Sequence, residues 1–202
     1  MSGVLATIPG PKVLVGHSYG GALVSELAGT SGVKSLVYVA AFIPQAGETL
    51  GGVDLALKPD KAGPILGADV PAREGAVFLA AQRPVAAAAF SEPVAETDPA
   101  APPKYAVIPT GDKAIAPAAE RFMATRAGAT KVEVPGASHL VAVSQPAVVT
   151  QVIERAAATR GSSPSRRWSF PMPWCHGMMA MRWSASVGPL SACSVTSPMP
   201  RT

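Results

Sequence analysis

Apolar residues in the first 160 positions gather in short runs that alternate with segments of helical spacing. The runs at 12–16 and 35–41 show no polar alternation, which is typical of strands buried on both faces of a parallel sheet. The segments 104–110 and 130–135 also have strand character. Because helical segments separate these strands, the pattern predicts βαβ units with parallel strands and right-handed crossovers.

The spacing between the strands predicts helices at 19–29, 117–127 and 146–158. Pro117 suits a first helical turn, because its missing N–H has no helical partner there. Ser144 is a candidate cap for the last helix.

Residues 42–103 differ from their surroundings, because they are rich in Pro, Gly, Asp and Ala. Their best helical candidate runs from 70 to 89, with an interruption at Pro84. We interpret this region as a lid or cap inserted between two strands. The predicted fold class is α/β, with a partial, mostly parallel sheet, flanking helices and a lid insertion.

The composition changes abruptly at Gly161, so we divide the chain into a domain of residues 1–160 and a tail of residues 161–202. The tail has no lasting periodicity, no acidic residue and all three tryptophans, and we expect it to be disordered. A shifted reading frame near Arg160 is one hypothesis for this break. Both cysteines also lie in the tail, and two cysteines build neither a disulfide framework nor a metal site of known spacing.

Charge and hydropathy exclude several classes of partner. The chain has 17 Lys and Arg against 13 Asp and Glu, but four of the arginines lie in the tail, so the first 160 residues are neutral. A nucleic-acid footprint would need clustered basic residues, which residues 1–160 lack. A membrane-spanning helix would need an apolar run of about 18 residues or more, which the sequence also lacks. We therefore expect neither nucleic acid nor a membrane as a partner. No signal pattern opens the chain, so cytoplasmic location is the default expectation. No metal or cofactor is implied.

The strongest chemical signal is a G-x-S-x-G pentapeptide at residues 16–20, between a predicted buried strand and a predicted helix. In that context Ser18 is the candidate nucleophile, on a sharp and strained turn. We expect Gly16 and Gly20 to permit the turn, because any Cβ there would collide with it. The N–H of Tyr19 is the candidate oxyanion donor. The alternative is a chance pentapeptide in a Gly-rich sequence.

A serine hydroxyl needs a base to take its proton, and in this pattern the base is a histidine. Of the three histidines, His176 lies in the tail. His17 adjoins the nucleophile, so we expect it to support the site or to contact substrate. His139 follows the strand at 130–135, at the edge of the sheet where such folds place functional groups. The alternative for His139 is a histidine in a surface loop.

The candidate acid is Asp112, which follows the strand at 104–110 and so lies at the same sheet edge. The chain order Ser, Asp, His is the one expected for this architecture. A turn or helix cap is the alternative role for Asp112. The competing carboxylates lie in the lid region or precede a strand: Asp54, Asp60, Asp69 and Asp98.

Other candidates are weaker. Arg83 and Phe90 could line a substrate pocket from the lid, although a solvated arginine is the commoner case. We expect Phe122 and Met123 to pack their helix onto the sheet rather than to touch substrate.

At these residues the chain resembles the α/β-hydrolase superfamily, and most of all its small bacterial esterase-like members. The resemblance is carried by KVLVGHSYGGALVSE, SLVYVAAFIPQAGET, QRPVAAAAFSEP, TGDKAIAPAAERFMATRAGA and GASHLVAVSQP. It implies an eight-stranded, mostly parallel sheet whose lid follows the sixth strand, and it puts Ser18, Asp112 and His139 on the triad positions. A small-molecule ester is then the expected substrate.

The chain also departs from that family. The nucleophile normally follows the fifth strand, and here it is residue 18, so we expect an N-terminally truncated fold with strands five to eight. The loop that carries the second oxyanion donor is expected upstream, and losing one such donor typically costs about 10²–10³ in turnover. The strand at 12–16 would become an exposed apolar edge, so we expect self-association through it.

Three hypotheses follow. The first is a serine hydrolase that cleaves a carboxylic ester through an acyl-enzyme. The second is a truncated, inactive product that keeps the site residues. The third is a non-hydrolytic lyase or ligand-binding protein of the same architecture.

Overall fold

The structure is a computed structural model, and it describes residues 2–51, 59–81, 86, 88–95 and 102–159. The predicted tail at 161–202, together with Arg83 and Pro84, lies outside the described residues.

Within the described residues the chain forms four parallel strands in the order β1-β2-β3-β4, with helices between them. This confirms the predicted α/β class with a partial, parallel sheet. The elements in chain order are α1 (Ser2–Thr7), β1 (Lys12–Ser18), α2 (Gly20–Glu26), β2 (Val33–Ala41), α3 (Pro59–Leu66), α4 (Ala72–Ala80), α5 (Ala88–Ser91), β3 (Lys104–Pro109), α6 (Pro117–Arg126), β4 (Thr130–Val134), α7 (Val141–Ser144) and α8 (Pro146–Ala158).

Strand β2 lies inside the sheet, and this position explains the apolar run at its end. Tyr38 pairs with a residue of β1 on one side and with a residue of β3 on the other. Successive side chains of a strand point to opposite faces. Leu36 and Tyr38 therefore belong to one apolar cluster, whereas Val37 and Val39 belong to the other. Both faces are covered, so the run from residue 36 to 41 is apolar, and the buried Ser35 hydroxyl before it donates to the Ala156 carbonyl at 2.8 Å.

Helices cover the two faces of the sheet. On one face α2 and α6 contribute Val24 and Ala124 to the first cluster. On the other face α8 contributes Val149, Val152 and Ala156, whose spacing of three and four places them on one side of the helix. The sheet is thus the middle layer of three.

Strand β1 lies at one edge of the described sheet, because it pairs with β2 alone. Its side chains are less covered than those of β2, and Val15 is 44 % exposed. The prediction that this strand is an apolar edge agrees with that position.

The predicted strands agree with the observed ones to within two residues, but several helix predictions need correction. Helix α2 ends at Glu26 rather than at residue 29, and the chain turns after it. Ser144 does not cap the last helix; it ends α7, and α8 begins after Gln145 without a side-chain cap. Helix α3 was not predicted, because Gly63 and Pro64 lie within it and both disfavour helix interiors.

The helix predicted at 70–89 is shorter. Helix α4 ends at Ala80, and α5 forms a separate single turn. The expected packing of Phe122 is also wrong: its ring is 64 % exposed and lies 5.3 Å from the guanidinium carbon of Arg126. Met123 packs against the first apolar cluster as expected.

Candidate active site

The turn between β1 and α2 has the strained backbone that the pentapeptide predicts. Ser18 has a φ of +53°, in the left-handed region that residues other than glycine rarely adopt. The β1–β2 register shifts between His17 and Ser18, and the N–H of Phe42 donates to the Ser18 carbonyl at 3.2 Å. Such strain persists only where the surrounding structure holds it, and it concentrates at functional sites.

The glycines of the turn do not all serve the same purpose. A Cβ on Gly16 would lie 2.5 Å from the carbonyl oxygen of Gly20, so a side chain is excluded there as predicted. A Cβ on Gly20 would meet nothing within 4 Å, so the predicted collision at Gly20 is wrong. The close approach is instead at Gly21, whose Cβ would lie 2.0 Å from the Phe42 carbonyl oxygen. That glycine lets α2 pack directly against the end of β2.

His139 and Asp112 form a buried pair. The imidazole Nδ1 lies 2.6 Å from Asp112 Oδ2, and the two side chains are 4 % and 0 % exposed. The other carboxylate oxygen of Asp112 accepts from the backbone N–H of Ala114 at 2.7 Å and of Ile115 at 3.0 Å. The carboxylate is therefore fixed by three donors, and Nε2 of His139 is left for another partner.

The loops that carry this pair are tied to each other. The Gly111 N–H donates to the Ala137 carbonyl at 2.9 Å, and the Gly136 N–H donates to Thr110 Oγ1 at 2.8 Å. A Cβ on Gly111 would lie 2.9 Å from the Ala137 carbonyl oxygen, so the approach needs glycine. Because β3 and β4 are parallel neighbours, their carboxyl ends bring the two loops together.

His17 connects the turn at Ser18 to the histidine loop. Its Nε2 lies 3.0 Å from the His139 carbonyl oxygen, which can only accept, so Nε2 carries the hydrogen. The two rings lie 4.7 Å apart. Burial, together with the neighbouring His139, lowers the pKa of His17, which keeps it neutral at neutral pH. The side chain thus contacts His139, and contact with a substrate stays a prediction.

Among the described residues no hydrogen bond joins the Ser18 hydroxyl to His139. The imidazole nevertheless lies beside His17, the residue next to Ser18 in the chain. Hydrogen bonds of this kind are often long in structures without substrate and tighten when substrate binds.

Two further candidate site residues, Tyr19 and Phe90, lie in an apolar cluster next to the turn. The Tyr19 ring packs against Phe90 at 5.2 Å between centroids, and its hydroxyl donates to the Ala89 carbonyl at 3.4 Å. Phe90 is buried with Leu50 and Val94. The structure therefore places Phe90 inside the cluster that supports Tyr19, and its predicted contact with substrate stays a prediction.

Of the competing carboxylates, Asp69 is the one whose side chain the structure describes. It accepts a hydrogen bond from the Ser138 hydroxyl, next to His139 in the chain. Burial opposes its ionisation, but hydrogen bonds led by that of Ser138 lower the pKa of Asp69 overall. Asp69 thus binds Ser138 of the loop that carries His139, whereas Asp112 contacts the imidazole itself.

Glu120 is a residue of this site that the sequence analysis missed. It lies in the first turn of α6 and is 3 % exposed, and burial together with the charge of the neighbouring Asp112 raises the pKa of its carboxyl group. An acid in a first helical turn ordinarily faces solvent and complements the helix dipole, so Glu120 gave no signal by itself. Its spacing of four from Ala124, on the buried side of α6, was the available signal.

A cleft of about 460 Å³ lies between α3 and α4. Its lining is mainly small and apolar, including Gly67, Ala76 and Leu79, and Lys113 lines it beside Asp112. Gly67 borders Leu140, since a Cβ there would lie 3.0 Å from Leu140 Cδ1. The cleft therefore lies next to the histidine loop.

Two features are absent from the described residues. No group of three or more His, Cys, Asp or Glu side chains there could hold a metal ion. None of the helices in that part of the chain is long and apolar enough to cross a membrane.

Solved structures share this fold at low sequence identity. Polyneuridine aldehyde esterase is 18 % identical with a TM-score of 0.65, covering 77 % of this chain and 76 % of that one. A methylesterase from Arabidopsis is 20 % identical with a TM-score of 0.67, covering 77 % and 74 %. A pyrethroid hydrolase from Sphingobium faniae is 20 % identical with a TM-score of 0.59, covering 78 % and 75 %.

No curated protein matches the chain significantly in sequence. The sequence model of the alpha/beta hydrolase family, in contrast, matches residues 2–152, which is most of the chain. The strained turn after β1 and the buried Asp–His pair after β3 and β4 lie within that match. The chain belongs to the alpha/beta hydrolase family.

Proposed function

We propose that the protein is a serine hydrolase that cleaves a carboxylic ester, with Ser18 as nucleophile, His139 as base and Asp112 as acid. The observation that carries this is the 2.6 Å contact between His139 Nδ1 and Asp112 at the sheet edge where β1 also ends. An Asp that holds Nδ1 leaves the opposite ring nitrogen to accept a proton, which is what a serine nucleophile requires.

The first half-reaction forms an acyl-enzyme. The Ser18 oxygen attacks the ester carbonyl while His139 Nε2 takes its proton, and the resulting imidazolium is stabilised by Asp112. The negative oxygen of the tetrahedral intermediate accepts from the Tyr19 N–H at the start of α2. The intermediate then collapses, the bond to the leaving alcohol breaks, and the imidazolium gives that alcohol its proton.

The second half-reaction restores the enzyme. Water attacks the acyl carbon while His139 takes one of its protons, and collapse returns that proton to Ser18 as the carboxylic acid leaves. The atoms balance as one water consumed for each ester cleaved. The names of the similar structures, which include an aldehyde esterase, a methylesterase and a pyrethroid hydrolase, support an ester as the substrate.

A fluorophosphonate probe tests the nucleophile directly, because it labels a serine that a histidine has activated. We expect labelling of Ser18, detected by mass spectrometry of the intact protein and of its peptides. Ser18→Ala and His139→Ala should remove the label, and Ser31→Ala, at an exposed turn, should keep it. Folded protein that takes no label, or takes it equally in Ser18→Ala, would contradict the proposed nucleophile.

A second candidate is a non-hydrolytic reaction, in which the same Asp112–His139 pair moves a proton without an acyl-enzyme. It is favoured by a further similar structure, tomato methylketone synthase I bound to beta-ketoheptanoate, with 18 % identity, a TM-score of 0.62, and 76 % and 74 % coverage. Turnover of short p-nitrophenyl esters separates the two. Binding of a keto acid without any ester turnover would favour the second candidate.

A further inference from the structure

Asp112 and Glu120 are two buried carboxyl groups in contact. Over the whole residue, Glu120 is 3 % exposed and Asp112 is 5 % exposed. Burial and the charge of the neighbouring Asp112 both raise the pKa of Glu120, because two ionised carboxyl groups side by side repel each other and have no hydrogen to share. A proton on one of the two relieves this repulsion.

Counting donors shows which one holds it. Asp112 accepts from the N–H groups of Ala114 and Ile115 and faces Nδ1 of His139. Glu120 has no such set, and its buried Oε1 finds no partner among the described residues. Because hydrogen-bond donors stabilise the charged form, Asp112 is the carboxylate and Glu120 is the neutral acid.

The charged groups around Glu120 agree with this division. The pKa of Glu120 is raised to about 9, mainly by burial and next by the charge of Asp112. Among the described residues, the cation that acts on it is Arg121 of the same helix, whose lowering of the pKa is the smallest of these effects. Arg121 is instead paired at 2.8 Å with the exposed Glu133 of β4. At neutral pH Glu120 is therefore the neutral member of the pair.

We propose that Glu120 is a positioning residue, whose neutral carboxyl donates a further hydrogen bond to Asp112 and holds that carboxylate against Nδ1 of His139. Its effect on turnover rests on the proposed function, because it acts only through Asp112. An ionised Glu120 would lose this hydrogen bond and would repel Asp112, which turns the carboxylate away from the imidazole.

Two substitutions separate the hydrogen bond from the shape of the side chain. Glu120→Gln keeps the shape and an N–H donor but does not ionise, whereas Glu120→Leu keeps most of the volume and has no donor. Glu74→Gln is the matched control, because Glu74 is an exposed acid in the first turn of α4. Circular dichroism establishes that each variant is folded.

The kinetic readout is the pH dependence of ester hydrolysis between pH 6 and 10. We expect wild type and Glu74→Gln to lose kcat/KM by about tenfold per pH unit above about pH 9. Glu120→Gln should keep kcat near the wild-type value at pH 7 and should lose this alkaline fall. Glu120→Leu should lower kcat about 10–100-fold at unchanged KM, as expected for a lost hydrogen bond to a charged group. An alkaline fall that persists in Glu120→Gln, or a wild-type kcat in folded Glu120→Leu, would overturn the role.

A second readout does not depend on turnover. The Nδ1–H proton of His139, assigned by its loss in His139→Ala, should give a downfield NMR signal whose position reports the contact with Asp112. We expect the same position in wild type and Glu120→Gln, and a displaced signal in folded Glu120→Leu. Such a displacement in a protein that hydrolyses no ester would refute the proposed function and still support the contact. An unchanged signal in Glu120→Leu would refute the positioning role, whatever the activity.

Discussion

Replacing Glu120 with Gln should change how the stability of the protein depends on pH. In the folded chain the pKa of Glu120 is raised to about 9, mainly by burial, whereas its ordinary value is 4.5. Between these two values the folded chain holds a proton that the unfolded chain releases. The free energy of unfolding of the wild type therefore falls as pH rises from about 4.5 to about 9. Glu120→Gln has no such proton and lacks this contribution.

The size of the effect follows from the shift. Each pH unit within that window is worth about 1.4 kcal/mol, so two units, from pH 5 to pH 7, correspond to about 3 kcal/mol. We expect the variant to gain about that much relative to the wild type over this interval. Titrating groups remote from Glu120 contribute equally to both proteins, so the difference reports Glu120 and its effect on its immediate neighbours.

Urea unfolding followed by circular dichroism at pH 5, 7 and 9 measures the effect. The slope with urea should be the same in both proteins, so that shifts in midpoint report stability. Glu74→Gln provides the control for removal of one exposed acid charge. If Glu120→Gln and the wild type differ by the same amount at pH 5 and at pH 7, Glu120 is ionised in the folded protein. The raised pKa of Glu120 and its proposed hydrogen bond to Asp112 would then both be wrong.

Three further outcomes are expected. Gly21→Ala should lower the free energy of unfolding by about 3 kcal/mol or more, because its Cβ would lie 2.0 Å from the Phe42 carbonyl oxygen. Gly20→Ala should change the free energy of unfolding by less than about 1 kcal/mol, and equal urea midpoints for the two variants would contradict this difference. Asp112→Asn should lower kcat about 10⁴-fold in a folded protein, and a loss under tenfold in ester assays would argue against the triad. Val15→Lys, on the edge strand β1, should shift any dimer towards monomer in sedimentation, and unchanged association would place the contact elsewhere.

The strands and the order of the site residues could be predicted from the sequence, because both depend on short-range patterns. A strand that is covered on both faces, such as β2 over residues 36–41, is mainly apolar. A residue just after a parallel strand lies at the carboxyl edge of the sheet, and this rule led to the Asp112–His139 contact, whereas the approach of Ser18 to His139 stays a prediction. Neither inference needs any knowledge of which helix packs where.

The errors arose where the outcome depends on a tertiary contact. Whether Gly20 or Gly21 must lack a side chain depends on where Phe42 passes, and that residue lies at the end of another strand. The burial of Glu120 depends on the angle at which α6 meets the sheet, while the local pattern of an acid in a first helical turn favours exposure. Helix ends such as that after Ser144 are similarly set by neighbouring loops rather than by propensity.

The hydrogen bonds between the Gly111 and Ala137 loops make the acid and the base a single mechanical unit. Lengthening either loop would displace both side chains at once, so natural variation in loop length is expected to spare this corner. Under the proposed function, adaptation to differently shaped esters would fall to those parts of the β2–β3 connection that do not contact the histidine loop, unlike Asp69, which accepts a hydrogen bond from Ser138.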